Sequence, residues 1–214
     1  MKNRIQKKFS ELKEKGHKGL IGYLTAGDPD VDTSMKNIRT AIENGLDILE
    51  LGVPFSDPTA DGPVIQEASH RAIAGGMTVG GALEMVRKLR RDYDLPIVLF
   101  GYANPFFRYG YEKLCRDGVK AGIDALLVVD LPNEETGDLI SIAGAHGIDL
   151  ITLIAPTTPD ERASMILKEA RGFVYYISVA GVTGTREHCA VDIAEHVVNL
   201  RKYTDLPIAV GFGI

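Results

Sequence analysis

The chain is 214 residues long and 23.2 kDa, with 45% hydrophobic and 25% charged residues. This is the composition of a folded globular chain and excludes extended disorder. The net charge of −5 argues against a nucleic-acid partner, which needs a basic stripe, but leaves room for one phosphate on backbone N–H groups.

In chain order, the segment Met1–Lys8 has no apolar stretch behind its charges, so it does not read as a signal peptide. A first helix is expected over about 3–15, with Ile5, Phe9 and Leu12 at helical spacing. Seven short apolar runs follow: Gly19–Gly27, Asp47–Val53, Pro96–Tyr102, Ala125–Asp130, Asp149–Pro156, Phe173–Val179 and Pro207–Gly213. They are too continuously apolar for strands with one wet face and read as buried parallel strands covered by helices. Between them, Thr78–Arg91 puts Leu83, Val86 and Leu89 on one stripe. Thr158-Pro159-Asp160-Glu161 reads as a capping box with proline at the first helical position. Three turns repeat glycine, an apolar residue and aspartate before a strand: Gly45-Leu46-Asp47, Gly122-Ile123-Asp124 and Gly147-Ile148-Asp149. No apolar run reaches the ~18 residues of a membrane span. The two cysteines, Cys115 and Cys189, fit neither a metal spacing nor a disulfide framework, which suits reduced thiols in the cytoplasm.

Strict β–α alternation without a linker predicts one domain over 1–214, either an open doubly wound sheet or a (β/α)₈ barrel. The open sheet would carry a GxGxxG loop after its first strand, where this chain has Thr25-Ala26-Gly27-Asp28-Pro29. In the second run Ile48, Glu50 and Gly52 share one face, and Leu49, Leu51 and Val53 the other. A carboxylate among buried strand residues needs a polar site to face, which a barrel mouth supplies. Only seven strand runs are counted, where a barrel has eight.

Functional groups follow the strand ends. Glu50 and Asp61 bracket a loop stiffened by Pro54, Pro58 and Pro63. Paired carboxylates in different environments can divide acid and base roles. The Gly- and Thr-rich segment 181–185 and the Gly211-Phe212-Gly213 turn can bring N–H groups to an anion. Asp130 ends the fourth run and reads as a supporting residue. The histidines His17, His70, His146, His188 and His196 fall in helices or exposed turns and read as surface residues. None of the seven runs contains a lysine, which counts against a Schiff-base aldolase.

The stretch from Leu49 to Pro63, Leu49-Glu50-Leu51-Gly52-Val53-Pro54-Phe55-Ser56-Asp57-Pro58 with Ala60-Asp61-Gly62-Pro63, resembles the signature of the tryptophan synthase alpha subunit family. Tyr23-Leu24-Thr25-Ala26-Gly27-Asp28-Pro29, Tyr102-Ala103-Asn104-Pro105, Asp130-Leu131-Pro132, Gly181-Val182-Thr183-Gly184 and Gly211-Phe212-Gly213-Ile214 match it in order. The resemblance implies a TIM barrel lyase of tryptophan biosynthesis that cleaves indole-3-glycerol phosphate to indole and glyceraldehyde 3-phosphate without a cofactor. It also implies an α₂β₂ assembly in which pyridoxal phosphate belongs to the beta subunit. Carried over by motif, Glu50 and Asp61 are the catalytic carboxyl groups. Tyr102, Tyr175, Thr183 and Phe212 line the substrate site, Gly184 and Gly213 hold phosphate, and Pro54, Asp57, Pro58 and Asn104 face the beta subunit. No metal, nucleic acid or membrane enters. The family pattern continues into an eighth βα unit beyond the seven seen here, so a non-catalytic barrel fragment able to dock on the beta subunit is the alternative expectation. Another phosphate-binding barrel enzyme is a third.

Overall fold

The computed structural model describes residues 3–178 and 186–211, with backbone alone for 186–192. The chain divides into two compact units, residues 1–150 and 151–214.

The first unit is a five-stranded parallel sheet in the order β1 (Ile21–Thr25), β2 (Ile48–Gly52), β3 (Ile97–Gly101), β4 (Ala125–Val128) and β5 (Asp149–Leu150). Seven helices accompany it: α1 (Arg4–Glu14), α2 (Val31–Glu43), α3 (Pro63–Ala74), α4 (Val79–Leu89), α5 (Ala103–Tyr109), α6 (Tyr111–Ala121) and α7 (Gly137–Ala145). Side chains alternate across the strands. Leu49, Leu51, Ile97, Leu99 and Leu126 join one core with Met35, Ile38, Leu83, Val86, Leu89 and Leu114 of the helices. The other face carries Tyr23, Glu50 and Val98 in one register row, and Thr25, Gly52 and Phe100 in the next.

The first helix is capped by the Asn3 side chain, which accepts from the Gln6 N–H, and it buries Ile5 and Leu12. Thr78 caps α4 in the same manner. The repeated turn works as its sequence suggests: Gly45, Gly122 and Gly147 all have positive φ, a conformation glycine adopts without strain. The aspartate of each turn then ties neighbouring chain ends together. Asp47 accepts from the Leu20 N–H at 2.9 Å and Asp124 from the Ile97 N–H at 2.8 Å, while Asp149 accepts from the Asn3 side chain. Asp124 is buried and also bound by Arg90 at 2.6 Å and Arg4 at 3.0 Å, so the strand starts are pinned by a paired charge cluster.

The second unit is a three-stranded parallel sheet, β6 (Thr152–Ile154), β7 (Val174–Ile177) and β8 (Ile208–Gly211), with α8 (Asp160–Glu169) and α9 (Arg186–Leu200). Ile154, Leu167, Val174, Tyr176 and Leu200 form its core. The seven runs read in the sequence are found, with the fifth divided at Ile151 into β5 and β6. One local expectation fails. Pro159 is the extended residue before α8, not its first helical residue, and Thr158 does not cap the helix. Its hydroxyl instead accepts from the Ala155 N–H at 3.2 Å, a local turn bond that competes with capping.

Candidate active site

Glu50 lies in the middle of β2 and is 3% exposed. It is paired in register with Tyr23 on one side and Val98 on the other. Among the described residues, its Oε1 is the buried side-chain oxygen or nitrogen with no hydrogen-bond partner. Burial without a compensating partner disfavours the charged form, and the carboxyl is pushed up to about 7.

Tyr23 covers this layer. Its ring meets Phe100 edge-on at 4.9 Å. Its hydroxyl lies so close over Gly52 that a Cβ there would sit 2.2 Å away. Glycine at 52 is therefore what allows the ring to lean across the sheet. Burial pushes the Tyr23 phenol up to about 12, and the charges of Asp61 and Glu50 act in the same direction. Tyr23 is thus electrostatically coupled to both carboxyl groups. Sequence reasoning gave it no role, because in an apolar run it looks like one more core aromatic. The available signal was the glycine two residues beyond Glu50 on the same face.

Asp61 belongs to the loop between β2 and α3 and is half-buried. Its backbone is fixed twice: its N–H donates to Pro58 O at 3.1 Å, and its carbonyl accepts from the Gln66 side chain at 2.8 Å. Its carboxylate accepts from the Tyr102 hydroxyl at 2.8 Å. Burial raises its pKa and the Tyr102 bond lowers it. The donor to this carboxylate is therefore a phenol.

Tyr102 follows β3 and is 2% exposed. Besides donating to Asp61, its oxygen accepts from the Ala60 N–H at 3.0 Å. Asp130, read in the sequence as a support, accepts from the Ala103 N–H at 2.7 Å and so fixes the start of α5 beside Tyr102.

Of the four residues expected at a partner surface, Asp57 and Asn104 are exposed, whereas Pro54 and Pro58 are buried. Tyr175 lies in the second unit on β7, where its hydroxyl overlies Gly211 as Tyr23 overlies Gly52; a Cβ at 211 would sit 2.0 Å away. Thr183, Gly184, Phe212 and Gly213 lie outside the described residues.

His17 and His70 are exposed, and His146 pairs with Glu112 at 2.9 Å. His196 departs from a plain surface role, since it is half-buried and bonded to the buried Tyr176 hydroxyl at 2.6 Å. The side chain of His188 lies outside the description. Cys115 is buried in the first core and its thiol is pushed up to about 11 by burial, which makes it inert at neutral pH. Among the described residues no cluster of His, Cys, Asp or Glu suits a metal, no helix is long and apolar enough to cross a membrane, and no strand carries a lysine.

The pattern of the family "Tryptophan synthase alpha chain" matches residues 9–214. A tryptophan synthase alpha chain from Geobacter sp. (strain M21) is 49% identical over 212 residues, covering 99% of this chain and 79% of the relative. The one from Gluconacetobacter diazotrophicus is 49% identical over 213 residues, covering 99% and 78%. Among solved structures, the tryptophan synthase alpha chain of Legionella pneumophila superposes with a TM-score of 0.90 at 37% identity, covering 100% of this chain and 78% of that one. An aminoacrylate-bound tryptophan synthase from M. tuberculosis gives 0.90 at 33% identity, covering 100% and 82%.

Proposed function

This chain belongs to the tryptophan synthase alpha chain family, and from that premise we propose that Glu50 and Asp61 carry its chemistry. The fold is the TIM barrel of that family, and residues 1–214 are read as a single barrel domain. The activity is that of a lyase in tryptophan biosynthesis, cleaving indole-3-glycerol phosphate to indole and glyceraldehyde 3-phosphate.

The reaction consists of proton transfers and one C–C cleavage. Neutral Glu50 donates its proton to C3 of the indole ring, and the ring nitrogen takes up the positive charge. Asp61, ionised, stabilises that charge and accepts the N–H proton. Glu50, now a carboxylate, takes the proton from the side-chain hydroxyl. As the carbonyl forms, the C3–carbon bond breaks and its electron pair passes into the ring. The ring nitrogen regains its proton from Asp61, and indole leaves. A group that must be an acid first and a base next works best with a pKa near the working pH. Glu50, buried, unpartnered and near 7, meets that requirement, and this observation carries the proposal. Asp61, anchored by a phenol donor that favours the charged form, suits the stabilising role. No step calls for a cofactor.

Tyr175, Thr183 and Phe212 are assigned to the substrate, and Gly184 and Gly213 to its phosphate, on the motif match alone. Pro54, Asp57, Pro58 and Asn104, of which Asp57 and Asn104 are exposed, are assigned to a surface facing a beta subunit in an α₂β₂ assembly, with pyridoxal phosphate on the partner's side. A cytoplasmic location follows from this biosynthetic role.

The test is indole release from indole-3-glycerol phosphate by the full chain, alone and with a beta subunit added. Glu50→Gln and Asp61→Asn are each expected to lower kcat by ~10²-fold or more. Full activity in both variants would overturn the assignment.

A further inference from the structure

The hydroxyl of Tyr102 meets two groups of one loop. It accepts from the Ala60 N–H at 3.0 Å and donates to Asp61 Oδ2 at 2.8 Å. Because the backbone N–H occupies a lone pair of the phenol, the single phenolic proton is directed to the carboxylate. Donor and acceptor roles are both used, so this hydroxyl has no second proton to offer a substrate.

The ring that carries it is held as firmly as the hydroxyl. It is buried and packs against Phe55 at 5.2 Å, a residue of the same loop. The following helix is anchored by Asp130 through the Ala103 N–H. The Asp61 backbone is fixed separately, by Pro58 and Gln66. The loop therefore keeps its course through backbone bonds, while among the described residues the Asp61 carboxylate is held by Tyr102.

We propose that Tyr102 is a positioning residue for Asp61, clamping Oδ2 and the adjacent backbone so that Oδ1 is left to take the substrate's ring N–H. This rests on the role given to Asp61 above. It also revises the sequence expectation for Tyr102: it acts through the carboxylate, and any ring contact with substrate is secondary. A phenol is well suited to the task, since burial and the neighbouring charge raise the pKa of Tyr102, and it stays a donor throughout the working range.

The clamp has a protonation consequence. Half-burial favours the neutral form of Asp61 and the phenol donor opposes it. The other titratable groups facing this carboxylate are Tyr23 of β1, which also feels the charge of Glu50 of β2, and Tyr102 itself, with His70 of α3 against the Ser56 carbonyl of the same loop. Both tyrosines stay neutral below pH 9, so Tyr102→Phe leaves their charge unchanged and removes only the donor.

The experiment compares the wild-type chain with Tyr102→Phe, Asp61→Asn and the double variant. Steady-state indole release is measured against pH, and the Asp61 carboxyl is titrated by ¹³C NMR in the wild type and in Tyr102→Phe. Tyr102→Phe keeps the ring, so a wall contact would leave every reading unchanged. The clamp predicts a fall in kcat of about tenfold with KM within about twofold, corresponding to one hydrogen bond to a charged group. It predicts an Asp61 titration moved up by about one pH unit. It also predicts a double variant no slower than Asp61→Asn. Wild-type kcat and an unmoved Asp61 titration in Tyr102→Phe, alongside an inactive Asp61→Asn, overturn the clamp and leave the proposed function standing. A fully active Asp61→Asn overturns both. The NMR titration reads the clamp independently of turnover.

Discussion

A buried carboxyl with no partner is a cost to the fold, and that cost can be measured. Glu50 titrates near 4.5 in an unfolded chain and near 7 in the folded one. The folded state therefore holds its proton more tightly, and stability declines as pH rises between those values. Below pH 4.5 both states are protonated and the penalty is absent; above pH 7 both are ionised and the penalty is complete. The difference between the two pKa values corresponds to about 3 kcal/mol. Glu50→Gln replaces the group with one of the same shape and no charge. Relative to wild type, the variant is expected to gain about 2–3 kcal/mol between pH 5 and pH 8, most of it below pH 7. Urea denaturation of both proteins across that range reads the difference directly. The same variant should be inactive, which separates what the residue does for the fold from what it does for the reaction. Parallel stability curves for the two proteins would refute the reasoning, because they would mean that Glu50 ionises in the folded chain as easily as in the unfolded one.

Other consequences follow from the same geometry. Gly52→Ala places a methyl group against the Tyr23 ring, 2.2 Å from its hydroxyl, and is expected to cost about 1–3 kcal/mol in a denaturation experiment while lowering kcat by displacing the cover over Glu50. Asp124→Ala removes the shared partner of Arg90, Arg4 and the Ile97 N–H. It should cost about 3–5 kcal/mol, because it leaves a largely buried guanidinium unpaired. The Arg90→Met and Asp124→Ala double variant should cost less than the sum of the two single changes, which a double-mutant cycle would show.

Much of this arrangement is written in local sequence. Glu50 stands out because a carboxylate interrupts an apolar strand, and both the alternation of β2 and the partition of its faces follow from the side-chain period of two. The glycines at 45, 122 and 147 announce their positive φ, since few other residues adopt it cheaply. What sequence does not display is where a side chain reaches. The Tyr102 hydroxyl finds Asp61 41 positions back along the chain, and neither residue carries a local mark of the other. Tyr23 is hidden for the same reason: only the strand register, Tyr23 opposite Glu50 and one step below Gly52, reveals that its ring leans over the glycine. The aspartates of the repeated turns were visible, but their bonds to Leu20 and Ile97 depend on which strands are neighbours. The Thr158 motif misled because the cap competes with a turn bond to Ala155 at similar cost.

The central claim is that one buried carboxyl, Glu50, is an acid and then a base at neutral pH. Its most direct test is a ¹³C titration of the Glu50 side chain in the folded protein, with Glu50→Gln identifying the resonance. A midpoint near 7 is the result this account predicts. A midpoint near 4.5, the value of an ordinary glutamate, would contradict it.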